Sequence, residues 1–295
     1  MRAMVISGGG SKGAFAGGVA EYLLKEHGIT YDMFLGSSTG SLLIPHLALG
    51  SIEKIQEAYT NVHQRKIFSV SPFVVRKRKG EEFIRINHFN VVSQFLKGKR
   101  TFGESKGLKR LIKKIFPEDE FNRLKAKPVD VIVTVTNLTV NQVEYKSIKE
   151  VSYEDFCEWI WISCNYIPFM SLVKKDDFEY ADGGFSCVVP LHEAIKRGAT
   201  EIDAIILETE EFAYRNVVGK NPFSMLVDLF GILLDQVEKH NIAIGKLAAK
   251  HRNVKINFYH TPTKLTDNPL VFNKQQMTLW WKQGYEYART KFDNA

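Results

Sequence analysis

The pentapeptide Gly36-Ser37-Ser38-Thr39-Gly40 has the G-x-S-x-G spacing of a nucleophile elbow, and it lies between the short apolar run 33–35 and a helical pattern carrying Leu42, Leu43, His46 and Leu47. The chemistry such a turn serves is acyl transfer. Gly36 and Gly40 allow a sharp strand-to-helix bend, which lifts the Ser38 hydroxyl above the sheet edge and aims the positive end of the next helix at a bound carbonyl. A second glycine turn, Gly8-Gly9-Gly10-Ser11-Lys12-Gly13, follows the apolar residues 4–7. Two such turns at the carboxyl ends of neighbouring parallel strands meet over one crevice. Backbone N–H groups of Gly8, Gly9, Gly10 and Ser11 are therefore candidate oxyanion donors, with Lys12 either adding positive charge or covering the helix surface.

The same loop satisfies G-x-G-x-x-G through Gly8, Gly10 and Gly13, the dinucleotide fingerprint, with Asp32 near the place of a ribose-binding acid. In that fingerprint the acid ends the second strand. Asp32 instead precedes the run 33–35, and the strand ends in the serine turn, so the dinucleotide reading is the weaker of the two.

Asp182-Gly183-Gly184 closes the strand-like residues 178–181. Standing alone it would read as a turn. It follows two glycine turns, however, and the ordered set of a glycine-rich loop at 8–13, G-x-S-x-G at 36–40 and D-G-G at 182–184 resembles the patatin-like phospholipases. The likeness covers roughly residues 3–210 and extends to Thr134-Val135-Thr136-Asn137-Leu138, to Ser163-Cys164-Asn165-Tyr166-Ile167-Pro168, and to Val189-Pro190 ahead of Glu193-Ala194. It implies a three-layer α/β/α fold with a central, mostly parallel sheet. It also implies cleavage of lipid acyl esters by Ser38 as nucleophile and Asp182 as its base, with no catalytic histidine. Lys12, Gly13, Gly36, Gly40, Gly183 and Gly184 are then the residues supporting the motifs. Ser7 stands where many members carry Asp, Asn165 and Tyr166 enlarge a stretch usually made of small residues, and Val188-Val189 replaces the Asn often found before Pro190. These differences bear on substrate size and pocket shape.

The competing arrangement is a Ser, Asp, His triad. His46 lies eight residues past Ser38, about 12 Å along a helix, pointing away from the nucleophile, and reads as a packing residue. His192, His240, His251 and His260 follow Asp182 in α/β-hydrolase order, but none carries a local signature, and that fold places its serine after several strands. A histidine-dependent esterase or thioesterase on soluble esters and a dinucleotide-binding protein are the alternative functions.

The elements that must position these residues open as βαβα. Residues 4–7 are a strand, residues 14–27 a helix with Phe15, Val19, Tyr22 and Leu23 in register and Gly28 as its stop, and the serine turn joins the second strand to the second helix. That order favours a parallel sheet with helices on its faces. Residues 53–64 read as a helix, and residues 69–103, rich in Pro, Gly and charge, as an inserted cap or flexible loop. Residues 108–116 form an amphipathic basic helix, and strand 129–135 pairs with 142–147 across a turn near Asn141. Ser152 caps a helix whose Phe156, Trp159 and Ile160 face inward, and Cys157, Trp161 and Cys164 are core candidates. Further along come a helix at 190–197 ended by Gly198, strands at 202–207 and 254–259, and helices at 224–250 and 275–290. Residues 1–210 are expected to be the catalytic unit, with a basic insert at about 66–115, and residues 211–295 an extension packed on the same domain.

A chain of 295 residues that is 44% hydrophobic can bury one large core. Its net charge of +7 is concentrated: residues 65–114 hold fifteen Lys and Arg against Glu81, Glu82 and Glu104, a balance of +12 that leaves −5 for the rest. Such a segment suits nucleic acid, an anionic lipid surface or plain water; beside the hydrolase motifs no nucleic-acid partner is expected. Cys157, Cys164 and Cys187 have no framework spacing, so neither disulfides nor a metal site is suggested, and no cofactor is expected. The chain enters its first strand too early for a signal peptide, which points to the cytoplasm. The apolar stretch 223–234, broken by Asp228, is too short to span a bilayer and reads as a buried helix face, leaving peripheral contact as the mode of membrane association.

Overall fold

The computed structural model describes residues 1–78, 81–210, 222–266 and 268–293, the side chains of 77–84 and 222–224 apart. Along the chain lie β1 (Arg2–Ile6), α1 (Gly13–Glu21), β2 (Met33–Ser37), α2 (Thr39–Leu49), α3 (Ile52–Thr60), α4 (Gln64–Ile67), β3 (Phe73–Arg78), β4 (Glu81–Ile86), α5 (His88–Leu96), α6 (Lys106–Ile115) and α7 (Glu118–Ala126). There follow β5 (Asp130–Asn137), β6 (Gln142–Ser147), α8 (Tyr153–Ser163), β7 (Val173–Lys175), β8 (Phe178–Asp182), α9 (Leu191–Lys196), β9 (Glu201–Ile206), α10 (Pro222–Arg252), β10 (Lys255–His260) and α11 (Lys274–Asp293).

The main sheet runs β10-β9-β1-β2-β5-β8-β7, with β6 also on β5. From β10 to β5 every neighbouring pair is parallel, and β6, β8 and β7 add an antiparallel flank. Strand periodicity assigns the layers, because successive side chains point to opposite faces. Met4, Ile6, Phe34, Val131 and Val133 join one core with α1, α2, α8 and α11, while Ala3, Val5, Met33, Leu35 and Ile132 join a second with α9 and α10. The result is a three-layer α/β/α arrangement with a mostly parallel sheet.

One detail of register brings the candidate residues together. β6 occupies one edge of β5 from Ile132 to Asn137. On the other edge β2 pairs up to Ser37 opposite Thr134, and the next position of β5, Val135, pairs with Asp182 at the end of the oppositely directed β8. Two strands that run toward each other therefore end at the same point, and the residue following β2 is Ser38.

The expected elements are present with shifted ends, and Ser152 caps α8 by accepting from Asp155 N–H at 3.2 Å. The segment 69–103, read as an inserted cap or flexible loop, contains the hairpin β3–β4 followed by α5 and is closed at its base where Glu104 N–H donates to Val70 carbonyl at 2.9 Å. Sequence periodicity missed the hairpin because β3 ends in the charged Arg76-Lys77-Arg78. The apolar stretch 223–234 is only half buried: Val227 and Phe230 pack inward, whereas Met225, Leu229 and Leu233 face solvent. Among the described residues no helix is long and apolar enough to cross a membrane.

Candidate active site

Ser38 sits at the tip of the β2–α2 turn with φ 51° and ψ −119°, a region that residues with a side chain seldom occupy. The strain is held by the neighbours. Ser38 N–H donates to Ser163 Oγ at 2.9 Å, Ser163 and Ser41 share a hydroxyl contact at 2.9 Å, and Ser41 Oγ donates to Gly36 carbonyl at 2.9 Å. Cys164 Sγ donates to the Ser38 carbonyl at 3.1 Å. The end of α8 thus clamps the turn from outside. Glycine at 40 is required by close approach, since a Cβ there would lie 2.4 Å from the Ile6 carbonyl oxygen.

Ser38 Oγ donates to Asp182 Oδ2 at 2.7 Å across 144 residues of sequence. The other carboxylate oxygen, Oδ1, accepts Gly184 N–H at 2.8 Å, and Asp182 N–H donates to Asn165 carbonyl at 3.0 Å. Asp182 is 5% exposed. Burial pushes its carboxyl up to about 7, against the opposing pull of the Gly184 and Ser38 hydrogen bonds. A carboxylate with that affinity is far better matched to accept a proton at neutral pH than an ordinary aspartate.

The glycine loop packs against Ser38: a Cβ on Gly8 would lie 3.2 Å from Ser38 Cβ. Of its four candidate donors, two are already engaged, which corrects the sequence expectation. Gly8 N–H donates to Val188 carbonyl at 3.2 Å and Ser11 N–H to Pro269 carbonyl at 2.8 Å. The amides of Gly9 and Gly10 have no acceptor among the described residues. Lys12 is a second correction. Its ammonium is buried and paired with Glu208, so its charge is committed to that acid. Asp32 accepts Arg2 N–H at 2.7 Å at the amino end of β1, the opposite end from the glycine loop, where no dinucleotide ribose on that loop would reach it.

Ser38, Asp182, Gly9 and Gly10 open onto one cavity of about 650 Å³. It extends along α2 past Leu42 to His46, with Leu108, Ile112 and Phe116 on the far side. Sequence spacing had His46 pointing away from the nucleophile; it instead lines the distant wall of the same cavity, with its ring centroid 5.6 Å from that of Phe116. Burial lowers its imidazole to about 3, so it is neutral. His192, His240 and His251 are exposed, and His260 Nδ1 lies 3.3 Å from the Glu208 carbonyl, outside this cavity.

The description "Patatin-like phospholipase" belongs to a family model that matches residues 4–195, which span the glycine loop, the serine turn and the Asp-Gly-Gly turn. The chain belongs to the patatin-like phospholipase family. It is accordingly a lipid hydrolase. Among solved structures it is similar to VipD from Legionella pneumophila, at 14% identity and a TM-score of 0.47 over 99% of this chain and 67% of that one. A search of curated protein sequences finds no match.

Sequence reasoning about this patatin-like phospholipase missed Tyr59. It completes the apolar stripe Ile52, Ile55, Tyr59 on α3 and so reads as core. Its hydroxyl donates to Gly10 carbonyl and contacts Thr39 Oγ1, tying the glycine loop to the serine turn, and burial raises its pKa so that it stays protonated. The same contact explains the glycine at 13, where a Cβ would lie 2.4 Å from the Tyr59 hydroxyl. Tyr59→Phe keeps the ring but removes one of the holds on the Gly10–Ser11 peptide, leaving Gly13 N–H on the Gly10 carbonyl and Pro269 carbonyl on Ser11 N–H. The expected result is about a fivefold fall in kcat on a soluble ester, from loss of roughly 1 kcal/mol of positioning, with KM unmoved. Steady-state kinetics check it, and an unchanged kcat would reduce Tyr59 to packing.

Proposed function

We propose that the chain hydrolyses lipid acyl esters through an acyl-Ser38 intermediate, with Asp182 as general base and the Gly9 and Gly10 amides as oxyanion donors. The observation that carries this is the 2.7 Å hydrogen bond from Ser38 Oγ to a buried carboxylate at one end of an apolar cavity. Asp182 accepts the Ser38 proton as Oγ attacks the ester carbonyl. The oxyanion is then held by the two unengaged loop amides, and collapse expels the alcohol, which leaves with the proton from Asp182. Water repeats the sequence on the acyl-enzyme. The leucine, isoleucine and phenylalanine lining along α2 suits an acyl chain.

The catalytic unit in this reading is residues 1–210 with the basic insert at 66–115, and residues 211–295 extend it. In support, β10 pairs with β9 and α11 packs on α1. The basic segment 65–114 brings the enzyme to anionic lipid, and we place it in the cytoplasm, where free thiols such as Cys157, Cys164 and Cys187 persist.

A fluorophosphonate probe should label the wild-type chain at Ser38 and leave Ser38→Ala unlabelled, and the wild type alone should release fatty acid from a phospholipid and acylglycerol panel. Labelling elsewhere, or fatty acid release by Ser38→Ala, would overturn the assignment.

A further inference from the structure

We propose that α5 is the element that seats this enzyme on an anionic lipid bilayer, with its outer apolar face inserted at the level of the headgroup–acyl boundary. Phe89, Val92, Phe95 and Leu96 are 83%, 54%, 80% and 79% exposed, four large apolar side chains on one nine-residue helix. Their spacing of three, three and one places them within a single arc of about 120°. The opposite arc is the one anchored to the protein, where Gln94 is buried and Asn90 Nδ2 donates to Ser71 carbonyl at 2.9 Å. A helix in water ordinarily turns its apolar face inward, so this orientation marks a surface built for an apolar partner.

Charge selects which partner. Lys97, Lys99 and Arg100 follow the helix at once and are exposed, within the segment 65–114 whose balance is +12. A second copy docked isologously would bring that segment against its own like charge, whereas an anionic bilayer attracts it and accepts the phenylalanines. The placement also suits the chemistry, because the insert that carries α5 lends Phe73 to the wall of the Ser38 cavity. The proposal rests on the lipid-hydrolase reading, which supplies the reason to meet a bilayer.

The test uses the full chain as Ser38→Ala, so that vesicles stay intact, in co-sedimentation with phosphatidylcholine vesicles with and without phosphatidylglycerol. Binding should be stronger to the anionic vesicles. Phe89→Ser with Phe95→Ser should lower it by roughly tenfold per side chain, and Lys97→Gln with Lys99→Gln and Arg100→Gln should erase the preference for anionic lipid. The Phe variants in the Ser38 background should turn over a soluble short-chain ester at the wild-type rate, showing that folding and chemistry are intact. Equal vesicle binding with and without the phenylalanines would overturn the proposal. So would a wild-type dimer in size-exclusion chromatography that the same pair converts to monomer, since a second copy would then cover α5. Failure of the wild type to hydrolyse any ester would sink the catalytic reading while leaving the binding result to stand or fall by itself.

Discussion

Ser38→Ala and Asp182→Asn are each expected to lower ester turnover by roughly 10⁴-fold or more, and the double variant to lose no more than either one alone. The reason is that the two groups form one device. A serine hydroxyl is a weak nucleophile until its proton has somewhere to go, and Asp182 Oδ2, 2.7 Å away, is where it goes. Single replacements of His46, His192, His240, His251 and His260 should leave kcat within a few fold, His46→Phe showing at most an altered chain-length preference because it lines the far cavity wall. A folded histidine variant as inactive as Asp182→Asn would replace the pair with a triad. Ionisation gives a further signature. The base works as carboxylate, so kcat/KM should rise as pH climbs through about 7, the value to which burial lifts Asp182. Stability should run the other way. A carboxyl whose folded pKa exceeds its ordinary 3.8 favours the protonated fold, so its stabilising effect is full below pH 4 and is lost as pH rises through about 7. Asp182→Asn should therefore be inactive yet more heat-stable than wild type at pH 8, by a few kcal/mol, and close to wild type at pH 4. Thermal melts at the two pH values measure this, and an Asn variant less stable at both would mean that Asp182 is mainly a structural hydrogen-bond hub.

The scaffold was largely legible because its signals are local. The apolar runs at 4–7 and 33–35 and the helical spacing after each glycine turn specify a βαβα opening whatever lies downstream. The meeting of Ser38 with Asp182 is another matter. It depends on β2 and β8 sharing one edge of β5, with Ser37 opposite Thr134 and Asp182 opposite Val135, and no local pattern encodes that edge-sharing. Order of motifs stood in for it. Hydrogen-bond economy was also invisible: nothing in Gly8 to Gly13 as a string distinguishes the amides spent on Val188 and Pro269 from those left open. Val188 and Pro269 come from distant parts of the chain, and only the folded sheet brings their carbonyls to the loop. Ser163 and Tyr59 were unreadable for the same reason, since a helix-end serine and a core-spaced tyrosine gain their roles only from what the fold sets against their hydroxyls.

That distinction between spent and open amides makes Gly10 the most informative position in the loop. Gly10 has φ +57°, and a Cβ there would fall 2.3 Å from the Pro269 carbonyl oxygen, the acceptor that fixes the next amide. Gly10→Ala must therefore both strain the backbone, by roughly 1–2 kcal/mol, and push the loop away from Pro269, turning the open amides out of line with a carbonyl bound at Ser38. The loss of one aligned donor is worth 10²–10³-fold in kcat, about 3–4 kcal/mol in the transition state, with little change in KM because the ground-state ester carries no full charge. Gly9→Ala offers a milder form of the same test. Its Cβ would crowd Leu207 at Cδ1 (2.8 Å) and at Cβ (2.9 Å), so the loop must shift there too, but no backbone carbonyl is struck as it is at Gly10. Ser38 in both variants should still react with a fluorophosphonate, only more slowly, since the nucleophile and its carboxylate are untouched. A folded Gly10→Ala enzyme with wild-type kcat would remove these amides from the oxyanion site. An open donor at the serine turn, the Thr39 N–H at the start of α2, which has no acceptor among the described residues, would then carry the charge.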